Sequence, residues 1–129
     1  AGVFVTADTE ALSRAIDAIL ENSLKYNDKE AIELTVRLEA DEQTARLEIA
    51  DNGIGLTRED QSTIFERFYR VGSELSRTHP GSGLGLYLAR EIVHAHGGAV
   101  VAESDGPGLG ARFVITLKVE PGNEDDTAG

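Results

Sequence analysis

Four segments of this chain alternate apolar and polar residues with a period of two, the pattern of a strand with one buried face. "AIELTVRLEA" and "TARLEIAD" are separated only by "DEQ", and "AVVAES" and "ARFVITLKV" only by "DGPGLG". Each couple reads as an antiparallel hairpin closed by turn-forming residues. Helical spacing is sustained over more than two turns in just two places. Asp8 is a candidate N-cap, and after it Leu12, Ile16, Ile19, Leu20 and Ser23 mark an amphipathic helix from about residue 8 to 26. A second helix is expected from about Leu84 to His96, with Leu84, Leu88, Ile92 and Ala95 inward and Gly97-Gly98 as its stop. "GVFVTAD" adds a short strand in front, and "DNGIGLTRED" is a glycine-punctuated loop leading to a short helix before "FERFYRV". Strands outnumber long helices and pair through hairpins, so the helices must stack on one side. The fold class that follows is a two-layer α/β (α+β) sandwich, a mixed, largely antiparallel sheet covered on one face by about three helices.

The chain has 129 residues, which suits one domain with a real core. We expect that domain over residues 1–119, followed at 120–129 by an acidic, glycine-rich tail, "EPGNEDDTAG", expected to be disordered. With 40% hydrophobic and 27% charged residues the composition is that of a soluble globular domain. No apolar run is long enough to cross a bilayer. Cysteine is absent, which excludes disulfides and thiolate chemistry. The formal net charge of −11 argues against nucleic acid as a partner. A polyanionic ligand would have to be met by a few local cations, which draws interest to Lys25, Arg67, Arg70 and Arg77.

"HPGSGLGLYLAREIVHAHGG" runs from a glycine-rich loop into the second helix, an arrangement that often holds phosphates. It is not a dinucleotide fingerprint, because Leu86 stands where the third glycine of GxGxxG belongs and no buried strand precedes it. It is not a Walker motif either, since Gly-Lys-Ser/Thr occurs nowhere in the chain. On the first helix, Asn22 falls on the shoulder of the apolar stripe, one turn after Ala18 and one turn before Lys25 and Tyr26. Such an amide can reach a ligand from an anchored helix, or be an ordinary border residue. Asp51 comes at the end of a hydrophobic strand, where its carboxylate needs donors; the exocyclic amine of a purine is one. "DNG" is also a turn signal in its own right.

Taken together and in order, "ENSLKY", "DNGIG", "FERFYR" and "GSGLGL" resemble the asparagine, first glycine, phenylalanine and second glycine boxes of sensor histidine kinases. "EIVHAHGG" is similar to the helix end that follows the last box. The resemblance spans about Val3 to Val119 and is to the catalytic, ATP-binding domain of those kinases, a GHKL-type fold. It implies Mg²⁺ and ATP as ligands. Asn22 would coordinate the metal through its amide oxygen, and Lys25 would place a point charge on the phosphates. Tyr26 would pack by the nucleotide, Asp51 would accept from the adenine amine, and Gly53 and Gly55 would let the base approach. Gly81, Ser82, Gly83, Leu84, Gly85 and Leu86 would form the phosphate box, its glycine N–H groups and the helix dipole facing the anion. Arg70, and Arg67 beside it, would offset charge on the transferring phosphoryl group. The polar stretch from Gly72 to Ser82, expected to be mobile, would be a lid, with Arg77 and His79 as candidate phosphate contacts.

The resemblance further implies that the γ-phosphoryl group goes to a histidine on a separate dimerising helical domain, with a response regulator downstream. None of His79, His94 and His96 stands in the acceptor context, a histidine followed by an acidic residue on a long helix. The expected product is an excised catalytic domain, monomeric and unable to phosphorylate itself, from a parent with this domain on the cytoplasmic side of a membrane. Two positions depart from the family pattern. Ala18 stands where a second polar residue is usual, asparagine in many kinases and a water-activating glutamate in gyrase-like ATPases, which argues against a hydrolase. Glu21 points about 100° away from Asn22 and is no obvious replacement. Ala111 replaces a serine or threonine expected near the nucleotide. An alternative reading is therefore a nucleotide-binding but catalytically weak regulatory or interaction domain.

Overall fold

The computed structural model describes residues 7–66 and 84–119. The expected first strand up to residue 6, Arg67, Arg70, the stretch from Gly72 through Gly81, Ser82 and Gly83 (with Arg77 and His79), and the tail from residue 120 lie outside the described residues. Helix α1 is Thr9–Lys25, β1 is Leu34–Ala40, β2 is Thr44–Asp51, α2 is Arg58–Thr63, α3 is Gly85–Ala95, β3 is Ala99–Glu103 and β4 is Ala111–Lys118. The four strands form one sheet in the order β1-β2-β4-β3, and each neighbouring pair is antiparallel.

Both hairpins form as the alternation requires. Asp41 closes the first, its Oδ1 accepting from the Gln43 and Thr44 N–H groups at 2.7 and 2.8 Å. In register, Ile49 of β2 lies opposite Phe113 of β4, and Ala102 of β3 lies opposite Phe113 from the other side. These residues share the helix-facing side with Leu47 and Ile115, and all but the partly covered Leu47 are buried. Phe65, just after α2, meets the Phe113 ring edge-on at 6.2 Å. Burying a side chain of that size stabilises the fold by about 1.5–3 kcal/mol. On β1 the alternation is right but the described helices do not cover it. Val36 and Leu38 point to the same side as Ile49 and Leu47, yet they are 59% and 71% exposed, with no described helix packed on this strand. An apolar groove of about 190 Å³ is left between Leu38, Leu47 and the Leu12–Ile16 face of α1.

Helix α1 starts where its cap predicts, with Asp8 Oδ1 accepting from the Ala11 N–H at 3.1 Å. It buries Ala15, Ile19 and Ser23. Helix α3 lies beside it and corrects the expected inner face. Ala89 and Val93 are the buried residues, Ile92 and Leu86 are partly covered, and Leu88 is 51% exposed. Apolar residues occur all round this helix, so the partner decides which stripe turns inward. Its first turn faces α1: a Cβ on Gly85 would lie 3.8 Å from the Ala18 Cβ, an ordinary van der Waals contact.

Gly97, at φ +77°, ends α3. Its N–H donates to the His94 carbonyl and the Gly98 N–H to the Val93 carbonyl, a reverse-turn C-cap that L side chains disfavour. His96 does more than cap. Its Nε2 accepts from the Asp8 N–H at 2.9 Å, which leaves Nδ1 to donate to the Ile92 carbonyl at 2.8 Å. The C-terminus of α3 is thereby tied to the N-terminus of α1. The two helices run antiparallel, and Gly85 in the first turn of α3 comes opposite Ala18 of α1.

Candidate nucleotide site

Asp51 sits at the end of β2, and backbone groups supply the donors that its position demands. Its Oδ1 accepts from the Gly53 N–H at 2.8 Å and from the Ala111 N–H at 3.2 Å. The carboxylate is thus fixed from two directions, and Oδ2 takes no hydrogen bond among the described residues. A small cavity of about 20 Å³ opens here, and Asn22, Ser23, Tyr26, Asp51, Gly55 and Ala111 border it. Helix α1 delivers the first three of these from its last turn and cap. Asn22 is the expected metal ligand, and its Oδ1 is buried with no hydrogen-bond partner among the described residues. Tyr26 is the C-cap, its N–H donating to the Asn22 carbonyl at 3.1 Å, and its side chain packs partly buried against the core. Lys25 ends α1 and makes no ion pair with the described residues.

Glycine at 53 and 55 has a reason within the protein itself. A Cβ at Gly53 would come within 2.6 Å of the Tyr26 carbonyl oxygen. Gly55, at φ +76°, would drive a Cβ into the Gly106 carbonyl. The loop after β2 is therefore laid directly on the end of α1 and on the β3–β4 connection. The Ile54 N–H donates to the Tyr26 carbonyl at 3.1 Å, and the Gly110 N–H donates to the Gly53 carbonyl at 3.2 Å.

Two residues that the sequence did not single out hold these loops. Ser104 Oγ accepts from the Leu56 N–H at 3.0 Å and donates to the Gly110 carbonyl at 2.6 Å, so it joins both glycine loops. Asn52 Oδ1 accepts from Asn27 Nδ2 at 2.8 Å and the Glu33 N–H at 3.0 Å, and its Nδ2 donates to the Ala31 carbonyl. Polar residues in turn-rich segments carry no periodic signal, and nothing short of the tertiary contacts would have found them.

Leu84, Gly85 and Leu86 lie at the start of α3, which has no side-chain cap hydrogen bond. The positive end of the helix dipole favours an anion there. The Gly85–Ala18 contact puts that end beside α1 one turn before Asn22. Asn22, Tyr26, Asp51, Gly53 and Gly55 are thus brought together, with Leu84, Gly85 and Leu86 alongside. Gly81, Ser82, Gly83 and Arg70 lie outside the described residues.

Residues 7–121 match the family model described as "Histidine kinase-, DNA gyrase B-, and HSP90-like ATPase". The chain belongs to this ATPase family. Its curated relatives are sensor kinases. The domain is 34% identical over 126 residues to the sensor histidine kinase WalK of Bacillus subtilis, covering 96% of this chain and 20% of WalK. It is 33% identical over 116 residues to the sensor protein CiaH of Streptococcus pneumoniae, covering 90% of this chain and 26% of CiaH. This ATPase-family domain therefore spans about a fifth to a quarter of the length of those relatives. Among solved structures, the mycobacterial sensor histidine kinase MprB superposes with a TM-score of 0.81 at 34% identity, over 92% of this chain and 79% of that one. The catalytic domain of the histidine kinase ThkA gives 0.74 at 22% identity over 91% and 73%, a likeness of fold. The architecture is that of a histidine kinase catalytic domain, and the family is one of ATP-binding domains. No helix among the described residues is long and apolar enough to cross a membrane.

Proposed function

We propose that this domain binds Mg·ATP against the wall that Asp51 and Asn22 form and donates the γ-phosphoryl group to a histidine on a separate helical domain. The observation that carries the reading is the Asp51 carboxylate. Two backbone N–H groups hold one of its oxygens and leave the other for a donor such as the adenine amine. A guanine would present a carbonyl oxygen there and be rejected. Likeness to a full-length ShkA in complex with AMPPNP, at 27% identity and a TM-score of 0.73, supports a nucleotide in this family's fold.

The residues present fit a magnesium ion. Its amide ligand would be the Asn22 Oδ1, which is otherwise a buried acceptor without a donor. Mg²⁺ keeps waters and phosphate oxygens in its shell, so one protein ligand suffices. Bound there, the ion would shield the charge of the triphosphate. Lys25 adds a point charge from the end of α1, and the first turn of α3, with Gly81, Ser82 and Gly83 ahead of it, cradles the phosphates. Arg70 is proposed to offset charge on the phosphoryl group as it leaves ADP. Ala18 offers no carboxylate to activate water one turn before Asn22, so transfer is favoured over hydrolysis.

The partner is then the dimerisation and phosphoacceptor domain of the same parent protein, with a response regulator downstream. This domain works as a monomer on the cytoplasmic side of the membrane. The test is to mix it with its helical domain, labelled ATP and Mg²⁺. Acid-labile phosphate should appear on the helical partner. Binding of ATP without transfer would instead support a regulatory nucleotide-binding domain, the reading that Ala18 favours, and absence of both would leave only the fold.

A further inference from the structure

Ser104 directly follows β3, and its hydroxyl is used to capacity. A hydroxyl has one proton to give and two lone pairs to offer. Here the proton goes to the Gly110 carbonyl at 2.6 Å, and the lone pairs take the Leu56 N–H at 3.0 Å and the Gly106 N–H at 3.1 Å. The first of these bonds reaches the candidate nucleotide site. The carbonyl of Gly110 and the N–H of Ala111 belong to one planar peptide unit, so the two groups turn together. Ser104 holds that unit by its oxygen, and the N–H on the far side donates to Asp51 Oδ1 at 3.2 Å. The unit needs such a hold on its Gly110 side. Gly110, at φ +75°, must lack a side chain because a Cβ would run into the Asp51 carbonyl, and a glycine leaves the following peptide free to rotate. The bond from the Gly110 N–H to the Gly53 carbonyl, at 3.2 Å, secures the preceding peptide unit and not this one.

We infer that Ser104 is a positioning residue for base selection: by fixing the Gly110–Ala111 peptide it aims the Ala111 N–H at Asp51, and so sets the direction in which the other carboxylate oxygen meets the base amine. This rests on the adenine placement proposed above and deepens it. The Gly53 N–H, two residues from Asp51, is a local turn contact about which the carboxylate could swing. The Ala111 N–H comes from across the sheet and stops that swing. Hydrogen bonds in series polarise one another, so the proton given to the Gly110 carbonyl also strengthens the Ala111 donor. Direction matters because a hydrogen bond weakens steeply as it bends. Ser104 itself does not border the cavity, so its effect passes through this peptide. Its own carbonyl accepts from Gln61 Nε2 at 3.1 Å, which anchors the Ser104 backbone independently of the hydroxyl.

The test compares ATP with purine riboside triphosphate, which lacks only the exocyclic amine, by calorimetric titration of wild type, Ser104→Ala, Ser104→Thr and Asp51→Asn. Wild type should bind ATP more tightly than the amine-free nucleotide, and Asp51→Asn should lose that preference. In Ser104→Ala, ATP affinity should fall about fivefold, as for one weakened hydrogen bond, while the amine-free nucleotide binds within about twofold of wild type. Ser104→Thr keeps the hydroxyl and should restore the preference. In NMR spectra of the unliganded protein the Ala111 amide proton should move upfield in Ser104→Ala and return in Ser104→Thr. A merely structural role would lower both affinities alike, or lower the melting temperature with the preference intact. Either result overturns the inference, as does failure of threonine to restore the preference. Should Ser104→Ala not fold, Ser104→Cys, a poor donor of nearly the same shape, must show the same selective loss. A preference that Asp51→Asn abolishes and Ser104→Ala keeps leaves the adenine placement standing without Ser104. If wild type shows no preference, the placement falls as well.

Discussion

Asp51→Asn exchanges one carboxylate oxygen for an amide nitrogen at nearly constant shape. The asparagine Oδ1 can keep both backbone contacts, to the Gly53 N–H at 2.8 Å and the Ala111 N–H at 3.2 Å. The group facing the cavity, however, turns from acceptor to donor and meets the adenine amine, another donor. A hydrogen bond to a charged acceptor contributes about 1.5–3 kcal/mol, and leaving the two donors opposed adds about 1 kcal/mol or more. The sum of roughly 3–4 kcal/mol corresponds to a rise in Kd of about 100- to 1,000-fold. Folding should suffer far less, because the two retained bonds only weaken from charge-assisted to neutral. A loss near 1 kcal/mol would lower the melting temperature by about 4–8 °C. Calorimetric titration with ATP and GTP, beside thermal denaturation of the unliganded protein, separates the two effects. The new amide donor suits the O6 of guanine, so the ATP-over-GTP preference should collapse or invert. ATP affinity within threefold of wild type would refute the placement of the base against Asp51.

Asn22→Ala should leave the melting temperature within a few degrees, since the Oδ1 bonds nothing among the described residues. It should also abolish the roughly tenfold or greater gain in ATP affinity expected from Mg²⁺, read by titration with and without EDTA. The corrected inner face of α3 predicts that Val93→Ala, at 0% exposure, costs about 1–3 kcal/mol in urea unfolding, whereas Leu88→Ala costs under about 1 kcal/mol. Asp41 is held below its ordinary carboxylate pKa by hydrogen bonds from the Thr44 and Gln43 backbone N–H groups. A depressed folded value stabilises the turn above the unfolded pKa and is lost as pH falls through the folded one. Asp41→Asn should therefore be less stable than wild type at neutral pH, and the gap should close on acidification through and below the carboxylate range.

Period-two segments announce their structure directly, because pairs joined by short, turn-rich connections have few alternatives. That is why β1 to β4 and the Asp8 cap could be read from the chain. What the chain did not carry is where one layer ends and the other begins. Val36 and Leu38 alternate as faithfully as Leu47 and Ile49, but only the second pair lies under a helix. The inner face of α3 failed for a related reason. Leu88 is the larger apolar residue, yet close helix contact favours Ala89, a preference that depends on α1 being there. Asn22 and Asp51, singled out through their motifs, border one cavity. Ser104 and Asn52 were not singled out, because the partners that tie them across the fold, Leu56 for Ser104 and Glu33 for Asn52, lie 48 and 19 residues away in sequence.

The meeting of Ala18 with Gly85 has a wider consequence. A Cβ at residue 85 would reach the Ala18 methyl at 3.8 Å, an ordinary contact, so the helices meet here through their smallest groups. A side chain at 18 longer by two or three atoms would have to turn aside or push α3 away. On the proposed reading, the spacing between Asn22 and the start of α3 would follow that push, and nucleotide fit would be tunable from a position assigned no contact with base or phosphate.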